Sequence, residues 1–588
     1  MENIKQLIDG DIGGKAKGYF AAVQILESEA FKREHESVFE RLRFPVSFCI
    51  GTDLFHSFIE DNNFSELVDR CRKSKEEACF VNLSDEFLSG VLRDNYLDDL
   101  SKFLEGVEYP LAVRSSSVLE DRPGTSFAGK YETIFVSNRG TLQERLHSLA
   151  KAIKLVFAST YCPSAIKYRR RRHLMDDREE MAILIQEAIG REYEGYFMPL
   201  MAGVGFSNNG YRWNKEIKKK DGLVRLVFGL GTRAVGRGYA RIFTPGKPLS
   251  RPEGNDVKEI IKFSQVTIDA LNIKNNAIES FPFYKLVKNG MHGYPRSNGL
   301  FSLCDEGRHL YTPVTRLWSE NHTPILTFDR ILKRPWSGLH LPGVIRVMFK
   351  VLEESFGFPV DIEFAVRVDE NEIANFYLLQ ARPLSQHEEM KPRKLPSDLP
   401  KDDILFSADR GVPSGRVRNI EYVVFVDPGI YAKWPFSERH EVARVVGKIN
   451  SLLEGKGFIL MGPGRWGSNK VDLGVPTRYS EISNCAMLVE IAHEHTDYLP
   501  EVSYGTHFFQ DLIEDNIVYL PLYPDSPGVI YNLKFFTKNN SLPELLPDEY
   551  YRRFDELIHV VHIPSVTGGR RATATLNGEI DKGLVYLK

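Results

Sequence analysis

Cysteine is scarce: Cys49, Cys71, Cys79, Cys162, Cys304 and Cys485 are the six in 588 residues, and no two form a Cys-x-x-Cys pair. That spacing argues against structural zinc and a disulfide framework, and fits a reducing compartment. Long apolar runs are missing too. No stretch reaches the ~18 consecutive apolar residues that a membrane-spanning helix needs. The start, MENIKQLIDGDIGGKAKG, is polar where a signal peptide requires an apolar segment. A cytoplasmic location is therefore expected. Neither sign of charge dominates, with Lys+Arg 76 against Asp+Glu 79. Overall charge thus makes no case for a nucleic-acid or membrane partner. Repeats of about 20–50 residues are absent, which excludes solenoids and propellers.

What is present is an ordinary globular composition: 42% hydrophobic, 11% aromatic and 26% charged. Two or three domains are expected, because mixed α/β enzyme domains often exceed the usual ~150 residues. The clearest boundary is 385–403, SQHEEMKPRKLPSDLPKDD, which is charged, proline-bearing and without an apolar period. It reads as an exposed linker between 1–384 and 404–588. In the first part, apolar spacing predicts an amphipathic helix over 142–161 and strands over 180–187 and 223–228. Residues 360–365 and 375–380 read as a hairpin joined by the acidic turn RVDENE. This is an α+β pattern with antiparallel strands.

Three segments carry residues suited to phosphate chemistry. GDIGGKAKG (10–18) is either a flexible surface turn or a loop in which Lys15 meets phosphate oxygens. It lacks the order of a Walker A motif. PLAVRSSSVLEDRPGTSFAGKYET (110–133) delivers Arg114 into a run of hydroxyls. Arg114 there either grips phosphate or pairs with Glu120 or Asp121. DIEFAVRVDENEIANFYLLQARP (361–383) sets Glu363 beside Gln380, with Arg382 on the same strand face. A carboxylate and an amide oxygen suit Mg²⁺, which normally also takes phosphate oxygens. Alone, each segment also reads as an ordinary turn or solvated hairpin.

Taken in order, GGK, AVRSS…ED…SFAG..ET, the strand ending in Gln186 and DIE…LQARP resemble the nucleotide-binding domain of phosphoenolpyruvate synthase and pyruvate phosphate dikinase, which rifampin phosphotransferase shares. The segment FPVSFCIGTDLFHSFI (44–59) adds to the resemblance, although Ser47 or Phe48 stands where the family has glycine. The resemblance covers about 8–384. It implies an ATP-grasp fold, two α+β lobes around a nucleotide cleft, followed by a separate α/β C-terminal domain. It also implies ATP and Mg²⁺ as cofactors. Lys15 and Arg114 would contact phosphates, and Gly129 and Thr133 would belong to the loop closing over them. Gln186 would border the adenine, Glu363 and Gln380 would hold the metal, and Arg382 would steady the transferred phosphoryl group. The connection from Glu363 to Gln380 is a few residues longer than the family's.

Residues 404–588 contain no phosphohistidine motif and are too few for a swivelling domain plus a pyruvate-binding barrel. ILFSADRGVPSGRV (404–417) faintly resembles the opening of the phosphohistidine domain, with Asn484 where its histidine would stand. This part thus reads as a divergent, degenerate phosphohistidine-like domain. FILMGPGRWGS (458–468) offers Arg465 for an anion and Trp466 for stacking. SYGTHFFQ (503–510) offers His507 as a phosphoryl acceptor, a general base or a structural histidine. The basic clusters at 167–173 and 218–220 read as solvated faces. GGRR (568–571) reads as an anion site or an exposed turn.

The function expected is an ATP- and Mg²⁺-dependent phosphotransferase with Arg382, His507 and Arg465 at the chemistry and an unidentified phosphoryl acceptor. Two rival readings remain. One is an ATP-binding regulatory protein without turnover. The other is one subunit of a split dikinase, with the missing domains on a partner chain.

Overall fold

The computed structural model describes residues 4–74, 77–120, 130–171, 174–175, 179–209, 216–235, 239–252, 254–287, 294, 296–305, 309–311, 322–383, 392–466, 474–493, 508, 512 and 517–588. It is a mixed α/β protein with several sheets, divided into two units. One comprises Met1–Asn208 and Lys220–Ser385, the other Asn209–Lys219 and Gln386–Lys588. No helix among the described residues is long and apolar enough to cross a membrane.

In the first unit a five-stranded sheet runs in the order Ile4–Ile8, Ser47–Ile50, Met181–Glu187, Leu111–Ser117, Thr133–Val136. Only the first pair is parallel. Met181–Glu187 is central and buried almost throughout, which explains its unbroken apolar sequence. One apolar cluster joins this sheet to helices Thr52–Asp61 and Leu142–Ser159. The second helix begins at Thr141, whose hydroxyl accepts from the Glu144 N–H while the Glu144 carboxylate returns to Thr141. This reciprocal cap fixes the helix start, and Leu149, Ile153, Val156 and Phe157 line its buried face.

A six-stranded sheet of the same unit runs Arg241–Phe243, Leu223–Val227, Met201–Phe206, Val360–Val368, Ala374–Pro383, Leu42–Arg43. Helix Leu341–Phe356 packs on it and ends at Gly357, which takes the left-handed conformation at φ 73°. Val360–Val368 and Ala374–Pro383 form the expected hairpin. Its turn is closed by the Asp369 carboxylate, which accepts from the N–H groups of Asn371 and Ile373.

The second unit pairs two sheets over one apolar core. Its five-stranded sheet runs Val518–Leu522, Met487–Ile491, Phe458–Pro463, Tyr422–Val426, Ile558–His562, parallel except for the last pair. Helix Arg439–Leu452 makes the crossover between Tyr422–Val426 and Phe458–Pro463. The other sheet, Ile404–Ala408, Lys582–Leu587, Ala572–Asn577, Gly415–Ile420, is antiparallel. Residues 392–403 carry no strand and only a short turn at Lys401–Asp403.

One surface expectation is corrected. Arg169, in the basic run, is buried rather than solvated. It donates to the Thr160 carbonyl and stacks on Tyr161 because the helix Pro163–Arg171 turns that face inward. GGRR is exposed and its glycines lie in a turn, one of its two expected readings, and its arginines pair with carboxylates, Arg570 with Asp403 at 2.6 Å and Arg571 with Glu421 at 2.9 Å.

Candidate nucleotide site

The GGK segment is the first turn of helix Gly13–Leu26, not a flexible surface loop. Gly13 has φ +76°, and a Cβ there would lie 1.6 Å from the Ser116 carbonyl oxygen, so only glycine fits. Ser116 locks the turn from the neighbouring strand: its hydroxyl accepts from the Ala16 N–H and donates to the Ile12 carbonyl. The turn thereby lays Lys15 against strand Leu111–Ser117. Its ammonium donates to Ser115 Oγ at 3.0 Å and pairs with Glu120 at 2.9 Å, all three side chains being buried.

Arg114 leaves the same strand and reaches the hairpin of the six-stranded sheet. One terminal nitrogen, Nη2, donates to Glu363 Oε2 at 2.5 Å and to Gln380 Oε1 at 2.8 Å. The other, Nη1, donates to Gln186 Oε1 at 3.0 Å and to the Leu379 carbonyl at 3.1 Å. Of the expected alternatives, the Arg114–Glu120 pair is not formed, because Glu120 serves Lys15, and Asp121 lies outside the described residues. Glu363 faces Gln380 in register, but Phe364 faces Leu378, so Leu379 is the extra residue of a bulge. The bulge turns the Leu379 carbonyl toward Arg114 and Gln186, whose amide also donates to it. Bulges commonly re-aim groups beside active sites.

Two register pairs along, Arg382 donates from Nε to both carboxylate oxygens of Asp361, at 2.9 and 2.8 Å. Both side chains are buried. Burial alone would raise the Glu363 carboxyl, but Arg114, with Lys15 and Arg382 beyond it, holds it below the ordinary carboxylate value. Glu363 therefore stays ionised.

Lys15, Arg114, Gln186, Glu363, Gln380 and Arg382 are thus gathered in one place, with Thr133 paired to Arg114 across the sheet. Gly129 and His507 lie outside the described residues. Two participants went unassigned in the sequence. Asp361 partners Arg382, and its place two residues before Glu363 on an alternating strand was the available signal. Glu120 partners Lys15, a pairing across about a hundred residues that no local pattern marks.

The donors fit a hard cation. Glu363 and Gln380 offer oxygens only, the Glu363 side chain is 36% exposed, and both oxygens already accept from a cationic nitrogen. Two protein ligands are few, and no group of three or more His, Cys, Asp and Glu suited to a metal occurs among the described residues. Mg²⁺ accepts such a set because phosphate oxygens and water complete its shell.

Arg465 belongs to the second unit, just after strand Phe458–Pro463. It is buried, and Trp466 beside it is fully enclosed. The expectation that Trp466 offers a stacking face is corrected. Its indole lies over Gly462, where a Cβ would meet the ring at 2.7 Å, and the Trp466 backbone N–H donates to the buried Glu490 carboxylate. Asn484 is tied to Asn450 by two hydrogen bonds, closing the end of helix Arg439–Leu452.

Comparison with known proteins gives a match between residues 10–403 and the family model described as pyruvate phosphate dikinase, AMP/ATP-binding domain. The chain is 25% identical over 327 residues to a phosphoenolpyruvate synthase of Aeropyrum pernix, covering 54% of this chain and 34% of that protein. An uncharacterized phosphotransferase of Bacillus subtilis is 25% identical over 345 residues, 58% of this chain and 31% of its own. A rifampicin phosphotransferase of Streptomyces sviceus is 26% identical over 205 residues, 33% of this chain and 22% of its own. The chain spans about a third or less of the length of these relatives.

Proposed function

Because the chain belongs to the pyruvate phosphate dikinase AMP/ATP-binding family, we propose that it is an ATP- and Mg²⁺-dependent phosphotransferase whose nucleotide lies between the five-stranded and the six-stranded sheet of the first unit, as in an ATP-grasp fold. One observation carries this reading: three cationic side chains from separate parts of the sequence, Lys15, Arg114 and Arg382, converge on Glu363 and Gln380. Phosphoryl transfer asks for positioning and charge neutralisation more than for covalent protein chemistry, and this set provides both.

Lys15 and Arg114 bind the phosphate oxygens. Gln186 orients Arg114, and in the bound state it borders the base. Gly129 and Thr133 belong to the segment that covers the phosphates. Glu363 and Gln380 hold the metal, which when bound neutralises the charge on the phosphoryl oxygens. Arg382, held by Asp361, steadies the group in transit. On the acceptor side, Arg465 is assigned to neutralising an anionic acceptor and His507 to taking its proton or carrying the phosphoryl group.

ATP labelled separately at the β- and γ-positions tests this in the intact protein. Mg²⁺-dependent appearance of AMP or ADP, with label passing to a small molecule or to protein, is expected. Label on His507 would be acid-labile and base-stable. Failure to form any product, by a protein that binds ATP, would favour a regulatory nucleotide sensor instead.

A further inference from the structure

Glu363 Oε2 and Gln380 Oε1 are the oxygens that would face a metal, and a single nitrogen of Arg114 now holds both of them. Building on the nucleotide-site reading, we propose that Arg114 is a built-in occupant of the metal seat. It is displaced only when a triphosphate offers it replacement oxygens, so the site admits the metal–nucleotide complex and turns away the free metal.

The physical grounds are charge and geometry. A guanidinium 2.5–2.8 Å from both oxygens and a divalent cation at ~2.0–2.1 Å from the same oxygens would bring like charges within a few ångströms in a largely buried site. One must leave for the other to enter. Arg114 is well held in its present place by Gln186 and the Leu379 carbonyl, so its departure needs compensation. That place is also imperfect for it. Its Nε is buried without a hydrogen-bond partner. A phosphate group can satisfy Nε and a terminal nitrogen together in the two-pronged grip that arginine favours. Triphosphate binding thus releases the two oxygens as the metal arrives. A free metal, with nothing to give Arg114, must bind against the full strength of the Arg114–Glu363 pair. Its apparent affinity falls by the small fraction of molecules in which the seat is empty.

The exchange makes two opposite predictions, one on each side of the pair. In the intact protein without nucleotide, Mn²⁺ titrated by electron paramagnetic resonance should bind Arg114→Gln about tenfold more tightly than wild type or better. The gain should vanish in the double variant Arg114→Gln/Glu363→Gln. Equal affinity in Arg114→Gln and wild type, or a gain that survives Glu363→Gln, would overturn the proposal. The second arm leaves Arg114 intact, so it does not depend on the first variant folding. In EDTA, metal-free ATP should bind Glu363→Gln at least about threefold more tightly than wild type, because Arg114 has lost its charged competitor. Unchanged or weaker binding would overturn the proposal. If wild type binds Mg·ATP but neither exchange appears, the occupied-seat proposal fails and the nucleotide site stands. If wild type binds no ATP with or without Mg²⁺, both fall.

Discussion

At the scale of single residues, each cation of the proposed site pairs with a carboxylate: Lys15 with Glu120, Arg114 with Glu363, Arg382 with Asp361. Truncating a cation thus removes a phosphate contact and takes a charged partner from a carboxylate. Arg382→Ala should destabilise the protein by about 3–5 kcal/mol, the usual cost of breaking a buried pair from one side. Thermal melting alongside turnover separates the effects. Arg382→Lys should keep most of the stability yet lose turnover, because a point charge cannot replace the planar grip. Full activity in a stable Arg382→Lys would remove Arg382 from the chemistry. Glu363 adds a pH signature. Its folded value lies below the ordinary 4.5. The stability it contributes is therefore fully present above that pH and is lost as pH falls through the lowered folded value. Acid unfolding followed by circular dichroism should be correspondingly less steep in Glu363→Gln. The Glu363–Gln380–Arg382 face was legible because strand alternation fixes it from sequence alone. The Arg382 partner, Asp361, lay within reach of the same alternation but went unassigned; the Lys15 partner, Glu120, was not legible, because it depends on which distant segments become neighbours.

At the scale of elements, local pattern and local structure agree where one periodicity dominates. The helix expected over 142–161 is Leu142–Ser159 and the strand expected over 180–187 is Met181–Glu187. The hairpin runs longer than expected, to Val368 on one side and Pro383 on the other. Its bulge at Leu379 was invisible in the sequence, since an extra residue in an apolar strand leaves no mark except length. Of the two readings left open for residues 10–18, the flexible turn fails at Gly13; the sequence could not exclude it, because glycine marks both loose loops and tight approaches. Gly13→Ala should abolish ATP binding, since its Cβ would collide with the backbone that seats Lys15. Calorimetry showing intact binding in a folded Gly13→Ala would rule out that seating. In the second unit, burial lowers the His559 imidazole below 6.5, and its bond to the Glu556 carbonyl only partly offsets this. The unfolded chain then takes up the proton first, so stability should fall as pH drops below about 6.5. His559→Leu should flatten that part of the melting profile; an unchanged profile would show that strand Ile558–His562 does not sense protonation.

At the scale of the whole molecule, a composition balanced in charge and poor in cysteine said little beyond an ordinary folded protein. Four ordered motifs gave the family, and residues 10–403 carry the match. The second unit is harder to read because its sequence signals point inward: Trp466 and Asn484, both distinctive in sequence, are used for packing and for closing a helix end. Segment Asn209–Lys219 groups with this second unit, so a cut at residue 385 does not separate the two units, and the intact chain is the species to measure. Calorimetric titration of the intact chain with ATP and Mg²⁺, beside Lys15→Ala and Arg114→Ala, tests the proposed nucleotide site most directly. Wild type should bind, and each variant should lose on the order of 10- to 100-fold in affinity, the worth of one charge-assisted contact. A wild type that does not bind ATP, or variants that bind as tightly as wild type, would contradict it.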